Sequence, residues 1–467
     1  MAKKKNNKRK NLKNKENNNK NYSYVIYTII GLGVLLRLLF PLFNVGLWHD
    51  ECALAINILD RDFWGLFNPL RFLQTAPPLF SCLTKIFTIE GNIVITDFSI
   101  RLIPLLAGIG SIFAFYNLLR NVFINKFVII IGLTIFAFNP ILINYSYELK
   151  PYSMDVFVAI LLTTYFIKYN PEGYWRQFYQ ILLLSFSMMF SLPAAFIMLG
   201  GIFLMLFKDY RRFLYAISAF GLFVIFYFIY HLWGTMEVHG AKMDQYWNGF
   251  FITFNNLSTL TTNFIKTNFN LFINPIITLC VLGLGFFVTC IRDKKLAIIS
   301  FITILEVFIA SYLHLYPFAP RLTLFLIPFL TIYVCEIFDM FSEKMPISKI
   351  FPIIIGGLAI YALFIGNLGK FTINTNKIIT ILANNAQKDS YAIAIPKNSN
   401  VEWIYYSRFY DFSNNRIYFQ DWNVPTNEWI KQLPSKNLYY FAPFETHLPE
   451  KILKKNPTKI TKGLYRI

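Results

Sequence analysis

Long apolar runs recur along this chain of 467 residues, and no other feature constrains its fold as strongly. Many are rich in Ile, Leu, Phe and Val and approach the ~20 residues that cross a bilayer as a helix. Hydrophobic residues make up 55% of the chain, against about 45–50% in soluble globular domains. The alternation of apolar and polar residues typical of barrel strands is absent until the C-terminal end. The sequence therefore predicts a polytopic α-helical membrane protein.

The apolar runs predict about eleven membrane spans. They cover roughly residues 22–43, 101–119, 127–143, 153–168, 178–192, 195–207, 213–232, 270–291, 296–314, 321–340 and 350–368. Loops rich in Lys and Arg stay inside, so the basic tail 1–21 and the basic residues in every second connection predict a cytoplasmic N-terminus. With an odd number of spans, residues 371–467 lie outside the plasma membrane, as do the loops 44–100 and 233–269.

The net charge of +19 is concentrated near the N-terminus. The first twenty residues hold nine basic residues and one acid, Glu16, among many Asn residues. This composition is typical of a disordered tail. Its predicted partners are anionic lipid headgroups at the membrane surface. Nucleic-acid binding is the alternative for so basic a chain, but this distribution of charge favours the membrane, and we expect no nucleic-acid partner.

Two adjacent carboxylates, Asp50 and Glu51, follow the first apolar run. Charged residues near the hydrocarbon region are usually retained for chemistry or transport. Residues 50–59 have the apolar spacing of a helix, and both acids fall in its first turn, where a helix favours negative charge. An alternative is therefore that Asp50 only caps this helix.

The rest of the loop 44–100 is too apolar for a plain linker. Residues 63–65 and 75–80, which include Pro77, suit helices that lie in the membrane interface with aromatic rings at headgroup level. An enzyme with a lipid substrate needs such a platform. Three basic residues of the same loop are candidates to bind a phosphate: Arg71, Lys85 and Arg101.

A second group of polar residues occupies the predicted turn 144–152. Glu148 and Lys150 bracket this turn, and Pro151 ends the local helix. Tyr147 and Tyr152, with Tyr145 beside them, offer hydroxyls and stacking faces suited to a sugar. The alternative is a solvated turn with a surface ion pair.

A third element is Arg321, at the start of a late span. A guanidinium at this position can bind two phosphate oxygens at once. The alternative is an interfacial arginine that extends its charge toward water. His314, a few residues earlier, either assists this site or caps the preceding span.

These elements together resemble the GT-C superfamily of integral-membrane glycosyltransferases. The closest resemblance is to bacterial relatives of protein O-mannosyltransferases and lipid A aminoarabinose transferases, and it covers roughly residues 22–340. It rests on the Asp50-Glu51 pair, the segment Pro77-Pro78-Leu79-Phe80, the turn from Tyr147 to Tyr152, and Pro320-Arg321 before a span. One departure is Thr75-Ala76 before Pro77, where many relatives carry His-Pro-Pro.

The resemblance implies a GT-C-like transmembrane domain over residues 22–370 and transfer of a sugar from a polyprenyl-phosphate donor to a protein, lipid or glycan acceptor on the outer face. Asp50 and Glu51 are the candidate catalytic residues. Asp50 matches the catalytic base, and Glu51 lines the same cavity as Glu148 and Lys150. Arg321 lies where a donor-phosphate ligand is expected. No cofactor is implied. A divalent metal on Asp50, Glu51 and Glu148, as in some relatives that act on oligosaccharides, is the alternative.

The expected chemistry agrees with these residue types. An acceptor hydroxyl is a poor nucleophile and needs a base, while cations stabilise the charge that develops on a leaving phosphate. The other function class is a transporter or lipid flippase. Transporters place ionisable groups at mid-membrane in broken helices. Here the mid-span regions hold only Arg37 and Glu306, which favours an enzyme.

The C-terminal segment 371–467 turns polar and predicts a small α/β domain with a mostly parallel sheet. The predicted strands are Tyr391–Ile395, Arg416–Gln420, Leu438–Phe441 and Gly463–Ile467, with helices near 374–386, 400–410, 425–432 and 447–455. Acceptor recognition and a structural cap are equally open as its role. Cys52 and Cys82 both fall in the loop 44–100, which is predicted to lie outside, and could pair in an oxidising compartment.

Overall fold

The structure is a computed structural model that describes most of the chain. The described residues are 22–39, 46–88, 97–169, 173–207, 209–269, 274–341, 375–386, 392–421, 423–434, 437–443, 448–454, 457–461 and 463–467. The predicted tail 1–21 and the last predicted span, 350–368, lie outside them.

Apolar helices dominate the part of the chain before residue 342. They are α1 (Tyr22–Leu39), α2 (His49–Asp60), α3 (Pro78–Ile86), α4 (Leu102–Val122), α5 (Lys126–Ala137), α6 (Pro140–Tyr145), α7 (Tyr152–Lys168), α8 (Tyr174–Ser185), α9 (Ala194–Leu206), α10 (Tyr210–Tyr227), α11 (Trp233–Trp247), α12 (Leu257–Asn268), α13 (Pro275–Arg292), α14 (Lys294–Tyr312) and α15 (Ile327–Phe341).

Among the described residues, five helical stretches are long and apolar enough to cross a membrane. They are Tyr22–Leu39, Ser99–Val122, Tyr210–Phe250, Pro275–Arg292 and Lys294–Tyr312, and Lys126–Ala137 and Ala194–Leu206 are shorter apolar helices. The chain is a multi-pass membrane protein, as its composition predicts.

One prediction, the loop 233–269, is wrong over its first half. The helix that begins at Tyr210 continues without a break to Phe250, with a π-helical turn at Phe228–Leu232. The segment Trp233–Trp247 has no apolar run to mark it, but it contains no proline to stop the helix.

The predicted span 127–143 divides into α5 and α6, because Asn139 and Pro140 start a new helix. The Asn139 side chain accepts a hydrogen bond from the backbone N–H of Ile141 at 3.0 Å. Pro140 occupies the first helical position, where a backbone N–H would have no partner within the helix, so its missing N–H costs nothing. This break is what turns the chain into the segment 144–152.

Close packing of α4 against this segment fixes its position. A Cβ added to Gly108 would lie 2.4 Å from the Cβ of Ser146. Any larger residue at position 108 would therefore push the turn away from α4.

The C-terminal part contains a five-stranded sheet with the order β2-β1-β3-β5-β4. Its strands and helices are β1 (Ala392–Ile395), α17 (Asn400–Tyr406), β2 (Arg416–Phe419), α18 (Thr426–Trp429), β3 (Leu438–Phe441), α19 (Glu450–Leu453), β4 (Thr458–Thr461) and β5 (Leu464–Arg466), preceded by α16 (Thr375–Ala386). The four predicted strands are present.

The prediction of a mostly parallel sheet is wrong for one half of it. Strand β1 pairs in parallel with β2 and β3, whereas β5 is antiparallel to both β3 and β4. Strand β4 was not predicted, because it is short, polar and partly exposed. The turn into β5 uses Gly463 at φ +86°, a conformation that favours glycine.

The possible disulfide between Cys52 and Cys82 is not formed. Both are free thiols, and Cys52 is buried with its Sγ 3.6 Å from the carbonyl oxygen of Leu47.

Candidate active site

Asp50 occupies the second residue of α2 and does not cap it. The residue before the helix is Trp48, and its N–H donates to Glu51 Oε2 at 3.2 Å. The carboxylate that serves the helix start is therefore that of Glu51, and Asp50 remains available to other groups. The Asp50 side chain is 23% exposed.

Two cations from distant segments approach one oxygen of Asp50. Lys150 Nζ lies 4.0 Å and Arg321 Nη1 lies 3.6 Å from Asp50 Oδ2. Both distances exceed those of direct hydrogen bonds. The structure thus brings together Asp50, Lys150 and Arg321, three residues that the sequence singled out separately.

Lys150 is buried, so the alternative of a solvated turn does not describe this segment. Its Nζ donates to Gln74 Oε1 at 2.6 Å. Burial lowers the pKa of Lys150, while the nearby carboxylates of Asp50 and Glu148 oppose that shift. Sequence reasoning missed Gln74, because a lone glutamine in a loop carries no signal.

Arg321 is held by an aromatic pair from the end of α11. Its Nη2 donates to the Tyr246 hydroxyl at 3.3 Å, and its guanidinium carbon lies 4.9 Å from the Trp247 ring centroid. This cation–π contact fixes the guanidinium beside Asp50. Sequence reasoning missed Tyr246 and Trp247 because their segment was predicted as loop.

The tyrosines of the turn divide into two groups. The Tyr145 and Tyr152 rings meet edge to face with centroids 5.1 Å apart. Burial and the Glu148 carboxylate raise the pKa of Tyr145, and Arg321 opposes them. Tyr147 instead lies under Arg101, whose guanidinium carbon is 4.7 Å from its ring centroid.

Glu51 is buried and engaged on both carboxylate oxygens. Arg101 Nε donates to Oε1 at 2.7 Å, Arg101 Nη2 donates to Oε2, and the Leu149 N–H donates to Oε1 at 2.6 Å. Arg101 is itself fully buried and is not open to a phosphate. Glu51 therefore ties α2 to the start of α4 and to the turn that carries Lys150.

The remaining predicted residues lie around this centre. Pro77 is buried directly before α3. Lys85 Nζ donates to the carbonyl oxygen of Ile58 at 2.8 Å, at the far end of α2, ~12 Å along the helix from Asp50 at 1.5 Å per residue. His314 lies 3.2 Å from Asp244 and stacks on Phe251 at 4.4 Å.

The described residues do not match a metal site on the three predicted acids. Within the ranges that the structure describes, no cluster of three His, Cys, Asp or Glu side chains is positioned to hold a metal ion. The Glu51 carboxylate would have to leave Arg101 to join one.

Comparison with known proteins identifies the fold. No family model and no curated protein sequence matches the chain. ArnT from Cupriavidus metallidurans in the apo state superposes with a TM-score of 0.57 at 10% identity, covering 94% of this chain and 97% of ArnT. ArnT bound to undecaprenyl phosphate superposes with a TM-score of 0.54 over the same shares at 10% identity. The chain has the GT-C fold of ArnT.

The likeness to ArnT confirms the GT-C fold that the short motifs predicted. Because the shared fold covers nearly the whole of both chains, it includes the C-terminal sheet as well as the helices. At this identity the likeness to ArnT establishes architecture, and the roles of individual residues rest on the contacts described above.

Proposed function

We propose that the protein is an inverting membrane glycosyltransferase. It transfers a sugar from a polyprenyl-phosphate donor to a hydroxyl of a protein, lipid or glycan on the outer face of the membrane. The observation that carries the proposal is the Asp50 carboxylate set between Lys150 and Arg321 in a chain with the ArnT fold. The binding of undecaprenyl phosphate by ArnT supports the class of donor.

Asp50 acts as the general base. Its carboxylate takes the proton of the acceptor hydroxyl while that oxygen forms a bond to C1 of the sugar. The bond between C1 and the donor phosphate oxygen breaks, and its electron pair leaves with the phosphate. Attack from the side opposite the phosphate inverts C1, and polyprenyl phosphate is released.

Lys150 and Arg321 stabilise the leaving phosphate. Negative charge builds on the phosphate oxygens as the bond breaks, and fixed cations lower the energy of that state. Both cations contact Asp50 at 3.6–4.0 Å, so a phosphate can approach them without first breaking short hydrogen bonds to Asp50. The edge-to-face tyrosines Tyr145 and Tyr152 provide hydroxyls and apolar faces for the sugar.

Glu51 positions the catalytic groups and takes no part in proton transfer. Its engagement by Arg101 and the Leu149 N–H leaves it no free oxygen for a proton from the acceptor. It holds α2 against the turn, so that Asp50 and Lys150 keep their separation.

The decisive measurement is release of polyprenyl phosphate from a panel of undecaprenyl-phosphate sugars by the purified protein, with peptide, lipid and glycan hydroxyls supplied as acceptors. Asp50→Asn keeps the size of the side chain and removes the base, so turnover should fall roughly 10²–10⁴-fold. Thermal stability and donor binding should be largely retained.

Asp60→Asn is the matched control, because Asp60 is an acid at the other end of the same helix and pairs with Arg71 and Arg408. It should turn over donor like the parent. An Asp50→Asn protein that turns over donor at the parental rate would refute the role of Asp50 as general base. A protein that moves the lipid across a bilayer without cleaving it would be a flippase.

A further inference from the structure

The C-terminal sheet domain contacts the segment that carries Asp50. The Leu47 N–H donates to the Tyr406 hydroxyl at 2.7 Å, and that hydroxyl donates to Asp97 Oδ2 at 3.1 Å. Nearby, His49 Nδ1 lies 2.9 Å from Glu402 Oε1. Tyr406 and Glu402 both belong to α17, and His49 is the residue directly before Asp50.

We propose that Glu402 is a positioning residue for the reaction: it holds a protonated His49 at the start of α2 and thereby keeps Asp50 in place between Lys150 and Arg321. This inference rests on the proposed function of Asp50 as the base. It gives the C-terminal domain a part in catalysis, although that domain contributes no group to the reacting atoms.

The burial of Glu402 favours a cationic partner. Its side chain is fully buried, and its second oxygen, Oε2, has no hydrogen-bond partner in the described part of the chain. A buried carboxylate is costly unless it is paired. His49 is the group at hydrogen-bond distance that can supply a positive charge, and at 38% exposed it can exchange protons with water.

The surroundings of His49 favour its charged form. The hydrogen bond to Glu402 raises the pKa of His49 most, burial opposes it, and the charges of Glu402 and Asp50 raise it further. Lys150 lowers it.

The position of His49 in α2 explains how its contact with Glu402 can affect the placement of Asp50. His49 is the first residue of α2, where intrahelical hydrogen bonds leave the first N–H groups unsatisfied and the helix is prone to fray. The ion pair with Glu402 holds that end. A displacement of about 1 Å in a catalytic group can lower the rate on the order of 10²-fold.

The test compares Glu402→Gln with Arg408→Gln. Arg408 Nη1 lies 3.0 Å from Asp60 Oδ1, so it joins the same domain to the opposite end of α2. Donor kcat and KM are measured across the range in which histidine titrates, about pH 5–9. In Glu402→Gln we expect kcat to fall about tenfold or more, with the donor KM unchanged and the loss of activity at high pH moved to lower pH. In Arg408→Gln we expect parental values.

A second readout needs no turnover. The chain has five histidines, and NMR of ring-labelled histidine assigns the His49 signal by its absence in His49→Gln. In Glu402→Gln the pKa of His49 should fall, because its hydrogen bond to a carboxylate is the largest cause that raises it, whereas in Arg408→Gln it should not move. Glu402→Asp keeps the negative charge, so its kcat and the pKa of its His49 should lie between those of Glu402→Gln and those of the parent.

The outcomes separate this inference from the proposed function. If the parent releases polyprenyl phosphate from no donor, the proposed function fails, and the inference fails with it. If the parent is active and Glu402→Gln matches Arg408→Gln in kcat and pH profile, only the positioning role is overturned. If Glu402→Gln does not fold, His49→Gln decides: it should lower kcat and abolish the pH-dependent loss at high pH, and a parental profile overturns the proposal.

Discussion

Glu51→Gln should strongly destabilise the protein, because it breaks a buried ion pair. The Glu51 side chain is 1% exposed, and that of its partner Arg101 is fully buried. The two carboxylate oxygens accept from Arg101 twice and from the backbone N–H groups of Leu149 and Trp48. A glutamine offers one acceptor oxygen, and its NH₂ group would face a donor.

The magnitude follows from the charge that is left behind. Arg101 would keep its hydrogen bond to the carbonyl oxygen of Gly46, its contact with the Tyr147 ring and the attraction of the Asp97 carboxylate, but it would lose the only carboxylate among the described residues that it binds directly. Removing one partner of a buried ion pair costs about 3–5 kcal/mol of folding free energy. This is a large part of a typical total of about 5–15 kcal/mol.

The assay is thermal unfolding of the purified variants in one detergent, with Asp50→Asn as the neighbouring control. Glu51→Gln should unfold at a clearly lower temperature, whereas Asp50→Asn should not. Adding Arg101→Met to Glu51→Gln removes the unpaired charge and should recover part of the loss, a coupling that a double-mutant cycle measures. A Glu51→Gln protein that unfolds with the parent would refute the assignment of Glu51 as a structural anchor.

Three further predictions concern donor binding, pH and topology. Arg321→Ala should weaken donor binding by on the order of 1.5–3 kcal/mol, and Arg321→Lys should restore it only partly, because an ammonium lacks the planar fork of a guanidinium. An unchanged donor affinity in Arg321→Ala would show that Arg321 is an interfacial arginine and not a ligand of the donor phosphate. Burial raises the pKa of Asp97 from 3.8 to about 6, so the folded protein binds the proton of this carboxyl more tightly than the unfolded chain does. The contribution of Asp97 to the free energy of unfolding should therefore fall by up to ~3 kcal/mol as the pH rises from about 4 through 6. Asp97→Asn should remove that fall and raise the unfolding temperature at neutral pH, and identical melting curves against pH would contradict this. A cysteine in place of Asn398 should be labelled from outside intact cells, and labelling only after permeabilisation would reverse the predicted topology.

The sequence predicted what depends on neighbours along the chain. The spacing of residues 50–59 indicated α2, and the alternating short strands and helices after residue 391 indicated the sheet domain. The convergence of Asp50, Lys150 and Arg321 was implied by the family resemblance, and the distances among them agree with it.

The sequence did not predict partners that meet only through the fold. Nothing near Glu51 marks Arg101, fifty residues away, as its counter-ion, and nothing near His49 marks Glu402. Tyr246 and Trp247 lie in a helix that has mixed polarity and no apolar run. Such contacts depend on which helices pack together, and that is decided by the summed burial of many apolar side chains.

The different surroundings of Asp50 and Glu51 follow from helix geometry. With 3.6 residues per turn, successive side chains on a helix point about 100° apart. The direction that buries Glu51 against Arg101 therefore turns Asp50 away from that pair and toward Lys150 and Arg321, where it is 23% exposed. The same rotation, applied backwards, aims His49 at Glu402 in the C-terminal domain. Three consecutive residues thus meet three different surroundings, and we infer that an acidic pair at this place serves one structural and one chemical purpose because the helix prevents the two carboxylates from sharing a site.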